Sequence, residues 1–300
     1  MAFMQTGEGV ASCIFLVLYT AYLVAAVYVV FKKGIKTLYT SLTVFGLFRV
    51  AAQLCGIAFS KLGIEHWQWL VAYLVFGAEG YFMLILTSFH YVGHIQKEVF
   101  GESKIARRLC PNIKVIGFIT YRWVFHEWLV VANVLVIVGG TMLTSIDADK
   151  YNEYQNKVNS SKGLRGAGQA IFLVMTVIVG AMALYAGIRD RIRATTLYLV
   201  YAAFPFLLVR GIYGVLSCFV TKMNYYQLSN YGKAGLSTYF VATEYCLATT
   251  MEFVAAVILL SKYYLYDEKV MNNTQVADEE SKQKYEKSTF TIEDVSSIRN

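Results

Sequence analysis

Long apolar runs separated by short polar stretches dominate this chain. Seven of them, at about 10–31, 38–59, 67–91, 123–144, 167–188, 195–220 and 236–260, stand out from the rest. An α-helix rises about 1.5 Å per residue, so roughly 20 apolar residues cross the ~30 Å hydrocarbon layer of a bilayer. The pattern therefore predicts an all-α, polytopic membrane protein with a bundle of seven transmembrane helices. Lys32-Lys33-Gly34 ends the first run, Trp67 and Trp69 open the third, and Tyr263, Tyr264 and Tyr266 follow the seventh. Basic and aromatic residues at these places suit the interfaces of a membrane. Residues 1–9 carry no lysine or arginine, whereas a cleaved secretory signal opens on basic residues. The first run is accordingly read as a retained helix behind a short outer N-terminus. Residues 267–300 are charged, bear serine and threonine and lack apolar runs, which predicts a disordered tail.

Composition supports this class. The chain of 300 residues is 57% hydrophobic and 16% charged, with a mean hydropathy of +0.47, too apolar for an ordinary soluble domain. The net charge of +7 raises the question of nucleic acid, but the basic residues sit between apolar runs, where topology and anionic lipid account for them. Membrane lipid is the expected partner, and nucleic acid is not. Of the 27 lysines and arginines, 18 fall on the side that holds the 32–36 turn, the 95–122 loop, the 189–193 turn and the tail. The excess of positive charge on cytosolic loops then places the N-terminus outside and the C-terminus in the cytosol. The glycosylation pattern at Asn159 falls outside by this reckoning, and the one at Asn272 falls in the cytosol. Five cysteines without a CxxC spacing give no disulfide framework or zinc site.

Charges inside the apolar runs are the informative exceptions. Arg49, Glu79, Arg210, Glu244 and Glu252 each lie within a run. Charged side chains at that depth are costly unless paired. Counted along ideal helices, Arg210 and Glu244 lie at matching depth, as do Arg49 and Glu252. These are the two expected pairs. Glu79 is the expected spare acid, able to join either pair or to carry a proton. Tyr213 lies one turn from Arg210, and Gln53 one turn from Arg49. Pro205 removes a backbone donor from the sixth helix and should kink it. Two readings of the cluster stand level: an internal brace, and a polar cavity for a headgroup, small ligand or proton. His90 and His94 lie at i, i+4, but no second ligand pair occupies a comparable run, so no metal site is assigned. His126-Glu127 sits among Tyr121, Arg122, Trp123 and Trp128 as an interfacial anchor. No P-loop, GxSxG, HExxH or nucleotide-binding glycine pattern occurs, and no cofactor is expected.

The run Ala203-Phe204-Pro205-Phe206-Leu207-Leu208-Val209-Arg210-Gly211-Ile212-Tyr213 resembles the sixth-helix signature of an uncharacterised fungal seven-helix membrane family of unknown function. Phe45-Gly46-Leu47-Phe48-Arg49, Val138-Gly139-Gly140 and Met251-Glu252 resemble that family's second, fourth and seventh helices. The resemblance covers about Val10 to Leu260. A looser similarity to fungal RTA-like lipid-translocating proteins implies a lipid or drug-resistance role. A transporter or lipid translocator and a receptor or sensor, the latter with a cytosolic partner reached through the tail, stand level as functions. A membrane-embedded enzyme ranks below them, because only the charged cluster could supply its chemistry.

Overall fold

The computed structural model of the protein describes residues 7–63, 66, 68–100, 120–142, 155–190, 192, 194–232 and 235–265. The predicted tail, the Asn272 pattern and most of the 95–122 loop lie outside these residues. Seven helices are long and apolar enough to cross a membrane. Six are single elements: α1 (Gly7–Lys33), α2 (Leu38–Leu62), α3 (Gln68–Phe100), α4 (Tyr121–Thr141), α5 (Gln155–Ile188) and α6 (Thr195–Phe219). The seventh is composite. It consists of α7 (Thr238–Glu244), a π-helical turn (Tyr245–Thr249) and α8 (Thr250–Leu260). The residues up to Leu260 form one compact unit.

Local chemistry sets the ends of the helices. Gly34 and Gly63 adopt φ of 90° and 78°, a region that suits glycine. Their amides donate back to the Val30 and Phe59 carbonyls at 2.8 Å, closing α1 and α2. Ser237 opens α7 by accepting from the Phe240 amide, and Thr120 does the same for α4 with Trp123. α6 continues through Pro205; the ring takes the amide from that turn and lies on the exposed face.

Two helices exceed the sequence expectation. α5 begins at Gln155 rather than near Ala167. Its first three turns are polar, but Ser161, Arg165, Gln169 and Phe172 recur at helical spacing and all are buried. α3 runs on to Phe100 and carries His90 and His94 within it.

Consecutive helices run antiparallel, so the α2–α3, α4–α5 and α6–α7 connections share the end of the bundle that bears the N-terminus. The α6–α7 connection is an ordered cap. It contains two 3-10 turns (Thr221–Met223 and Leu228–Asn230) and a two-stranded ladder of β1 (Tyr231–Gly232) and β2 (Gly235–Leu236). Asn230 pins it by donating to the Thr221 carbonyl at 2.7 Å and the Asn224 carbonyl at 2.9 Å. Tyr225 then drops into a core with Ala52, Cys55, Phe59, Leu70, Tyr73 and Phe240. Its ring meets Phe240 edge-on at 4.5 Å.

Small residues let the helices close on one another. A Cβ on Gly168 of α5 would lie 2.6 Å from the Ala132 carbonyl of α4, a distance no side chain tolerates without backbone movement. Gly168→Ala should therefore cost about 1–3 kcal/mol. Thermal unfolding of the purified protein in mild detergent checks this; an unchanged midpoint would show that α4 and α5 do not pack so closely.

Candidate functional site

The buried charges gather on Glu252. Its side chain, on the first turn of α8, is fully enclosed. Arg49 of α2 donates through Nη2 to Oε2, and Arg210 of α6 donates through Nε to Oε1 at 2.5 Å. One carboxylate thus joins three helices with both oxygens engaged. Each guanidinium also lies against a tyrosine ring, Arg49 at 5.9 Å from Tyr19 and Arg210 at 4.9 Å from Tyr81, and such contacts favour a desolvated cation. The glycines of α3 make room: a Cβ on Gly80 would lie 2.9 Å from Arg49 Nε.

The Arg49–Glu252 pair agrees with the sequence expectation, while the partner of Arg210 is different. Arg210 binds Glu252 and not Glu244. The cause is helix direction. Side chains lean toward the N-terminus of their own helix. On α6 this tilts Arg210 toward the deeper part of the bundle, and on the antiparallel seventh helix it tilts Glu252 up to meet it and Glu244 away. Counting Cα positions alone omits this offset. Glu244 instead accepts a long hydrogen bond from the Tyr73 hydroxyl at 3.5 Å. Tyr213 is buried nearby, within electrostatic reach of Glu244. Glu79 does not join the cluster. It faces α4, where Asn133 donates to it through Nδ2, because Gly77 and Gly80 present the other face of α3 to Arg49.

The π turn separates the two acids of the seventh helix. Eight residues of α-helix would set Glu244 and Glu252 about 80° apart around the axis. One residue looped out in a π turn gives the phase of seven, about 20°. Both carboxylates thereby face the same side of the helix. Thr250 caps the turn by donating its hydroxyl to the Tyr245 carbonyl at 2.7 Å. Tyr245 lies between Ser12 of α1, at 2.6 Å, and Gln53 of α2, at 3.5 Å. Tyr19 donates to the Thr249 carbonyl at 2.9 Å. Glu8, on the first turn of α1, is also buried and within electrostatic reach of Glu244.

Above the cluster lies a cleft between α3, α4, α5, α6 and the cap. Its lining runs from Gly140 and Tyr226, near the N-terminal end of the bundle, down to Arg49 and Arg210. Water centres have about 90 Å³ there, room for several waters or a small headgroup. Tyr213 and Glu244 line it, as do Arg165 and Gln169 of α5. Arg165 lies outside the apolar runs, since the start of α5 is too polar to resemble a span, and Gln169 lies inside the fifth run but carries no charge to mark it. The signal that could have found them is the stripe of buried positions from Ser161 to Phe172. Burial in the cap raises the Tyr225 and Tyr226 phenols above their ordinary range, so both remain neutral hydroxyls beside the cleft. Asn159 lies exposed on α5, while Ser161, the hydroxyl of its pattern, is buried and donates to the Gly139 carbonyl at 2.5 Å. His94 pairs with Glu98 on its own helix at 3.1 Å, and His126 with Glu127 at 3.9 Å; both pairs are apart from the cleft lining.

A seven-helix, membrane-capable bundle with an arginine–carboxylate–arginine centre beneath a polar cleft is the class of protein that these features define. Residues 5–264 match the family described as a domain of unknown function, DUF7702, and the chain belongs to that family. The match covers all seven helices. Comparison with curated proteins and with solved structures gives no match.

Removing the shared carboxylate strands two buried cations. Glu252→Gln should destabilise the fold by about 3–5 kcal/mol, whereas Glu244→Gln should stay within about 1 kcal/mol. Thermal or denaturant unfolding of the two variants side by side tests the assignment. The reverse order would restore the Arg210–Glu244 pairing.

Proposed function

We propose that this chain is a multi-pass membrane protein that binds a small molecule or lipid headgroup in the cleft above Glu252. The observation that carries the reading is the state of the polar atoms in that region. Arg49 Nε, Arg165 Nε and Gln169 Oε1 are buried on residues of the lining without a protein hydrogen-bond partner. Such groups are costly to leave unmade, and a bound molecule or ordered water satisfies them. A brace alone needs Glu252 and its two arginines; it does not need an open space beside them. The positive excess on the 32–36 turn, the 189–193 turn and the loop after α3 supports a cytosolic location for that end. The cleft then opens from the outside, beneath the cap.

Ligand movement and ligand sensing both begin with occupancy of this cleft. Val71→Trp, on the lining, should fill it without touching the Glu252 centre. Native mass spectrometry of the wild type should reveal a retained molecule that Val71→Trp loses at unchanged monodispersity; equal retention by both would place any ligand elsewhere. For topology, Lys222→Cys on the cap should react with an impermeant maleimide on intact cells and Lys36→Cys should not, in a background with the native cysteines replaced. The opposite pattern would invert the orientation.

A further inference from the structure

We infer that the ligand of the cleft is an anion, a carboxylate or a phosphate ester, and that Arg165 is the residue that seats it. This rests on the binding role proposed above and names the chemistry of the bound group.

Arg165 differs from the other two arginines of the lining. Arg49 and Arg210 share Glu252. Arg165 is equally enclosed, at 8% exposure, yet forms no ion pair among the described residues. Its contacts are neutral. Nη1 donates to Asn224 Oδ1 of the cap at 3.4 Å, and the guanidinium lies over the Tyr226 ring at 4.0 Å. Nε is buried and unpartnered. The residue sits about 15 Å along α5 from its first turn, and Lys162, one turn nearer the start of the helix, adds positive charge over Phe219. Among the described residues no carboxylate balances this enclosed guanidinium, which is expensive, and an arriving anion removes that cost.

The geometry suits a planar or tetrahedral oxyanion. Asn224 and Tyr226 fix the plane of the guanidinium, so it is held in place before the ligand arrives. A carboxylate or phosphate entering the cleft can then accept two parallel N–H bonds from the guanidinium. Close approach is built in, because a Cβ on Gly139 would lie 2.8 Å from Arg165 Cγ and one on Gly140 would lie 2.9 Å from the Tyr226 hydroxyl. Gln169, one turn deeper, offers a side-chain amide, and its Oε1 and Arg210 Nη1 both border Gly214. Charge balance points the same way. The lining presents Arg49, Arg165 and Arg210 against Glu244, with Glu252 behind. Glu252 is already shared by Arg49 and Arg210, which leaves the charge of Arg165 for an arriving anion.

The test uses the full-length protein, purified in a neutral detergent. Thermal unfolding is followed against inorganic phosphate, acetate, glycerol and choline at constant ionic strength. In parallel, the protein is reconstituted in phosphatidylcholine nanodiscs with and without phosphatidic acid. Wild type should be stabilised by an anionic probe and not by glycerol or choline. Arg165→Gln should weaken the half-saturating concentration by about tenfold or more, and Arg165→Lys should recover part of it. Stabilisation by free phosphate or acetate identifies a soluble anion; stabilisation confined to phosphatidic acid identifies a lipid headgroup. An Arg165→Gln protein that responds to anions as wild type does overturns the proposal, whatever its basal stability. Should Arg165→Gln fail to fold, Val71→Trp takes its place, and an anion response that survives it likewise overturns the proposal. Choline or glycerol acting through the cleft would overturn the anion assignment while leaving the binding site standing. No response to any probe, with no retained molecule by mass spectrometry, would overturn both.

Discussion

Glu252 is the constraint on which the bundle depends. Two guanidiniums from different helices end on one enclosed carboxylate, and neither tolerates its loss in a low-dielectric interior. Meeting that demand fixes the rotation of α2, α6 and α8 about their own axes. It also explains the packing around them. Gly80 is small because Arg49 lies against α3, and Gly214 is small because Gln169 and Arg210 meet beside it. Tyr19 and Tyr81 lend ring faces to the same cations. Apolar contacts between helices are interchangeable within a membrane, since lipid is as apolar as leucine. Polar contacts of this kind are what specify one arrangement among many.

The cleft follows from the same arrangement. The arginines that close its floor already share Glu252, so their charge is settled without a ligand. The wall formed by α5 and the cap is different, because among the described residues Arg165 meets neutral groups there. Paired and unpaired polar groups are thus divided between two depths of one polar column. The deeper part holds the helices together. The shallower part retains unspent hydrogen-bonding capacity at Arg165 Nε and Gln169 Oε1.

Much of this was legible in the sequence, and the failures have physical causes. Apolar runs located seven helices because bilayer thickness imposes a length that few other constraints produce. Arg49, Arg210 and Glu252 stood out because charge is rare in such runs. The partner of Arg210 was misassigned because depth was counted along the backbone, while the side chain reaches toward the start of its helix. The π turn leaves no periodic signature in an apolar segment, so the common facing of Glu244 and Glu252 could not be read. Arg165 was hidden by the opposite problem. It lies within a helix whose first turns are polar, and hydropathy alone treats such turns as loop. Glu79 looked like a member of the centre because a run reports depth and not direction, and its direction is toward Asn133.

The first helix has a practical bearing. α1 exposes most of its apolar surface and resembles a peripheral anchor, but Glu8, Ser12 and Tyr19 on its inner face reach the acid Glu244, the hydroxyl of Tyr245 and the carbonyl of Thr249. The opening turn of the chain is therefore wired to its centre. Recombinant membrane proteins are commonly trimmed or fused at the amino terminus on the assumption that the first span is dispensable. Here such engineering would act on the polar core directly.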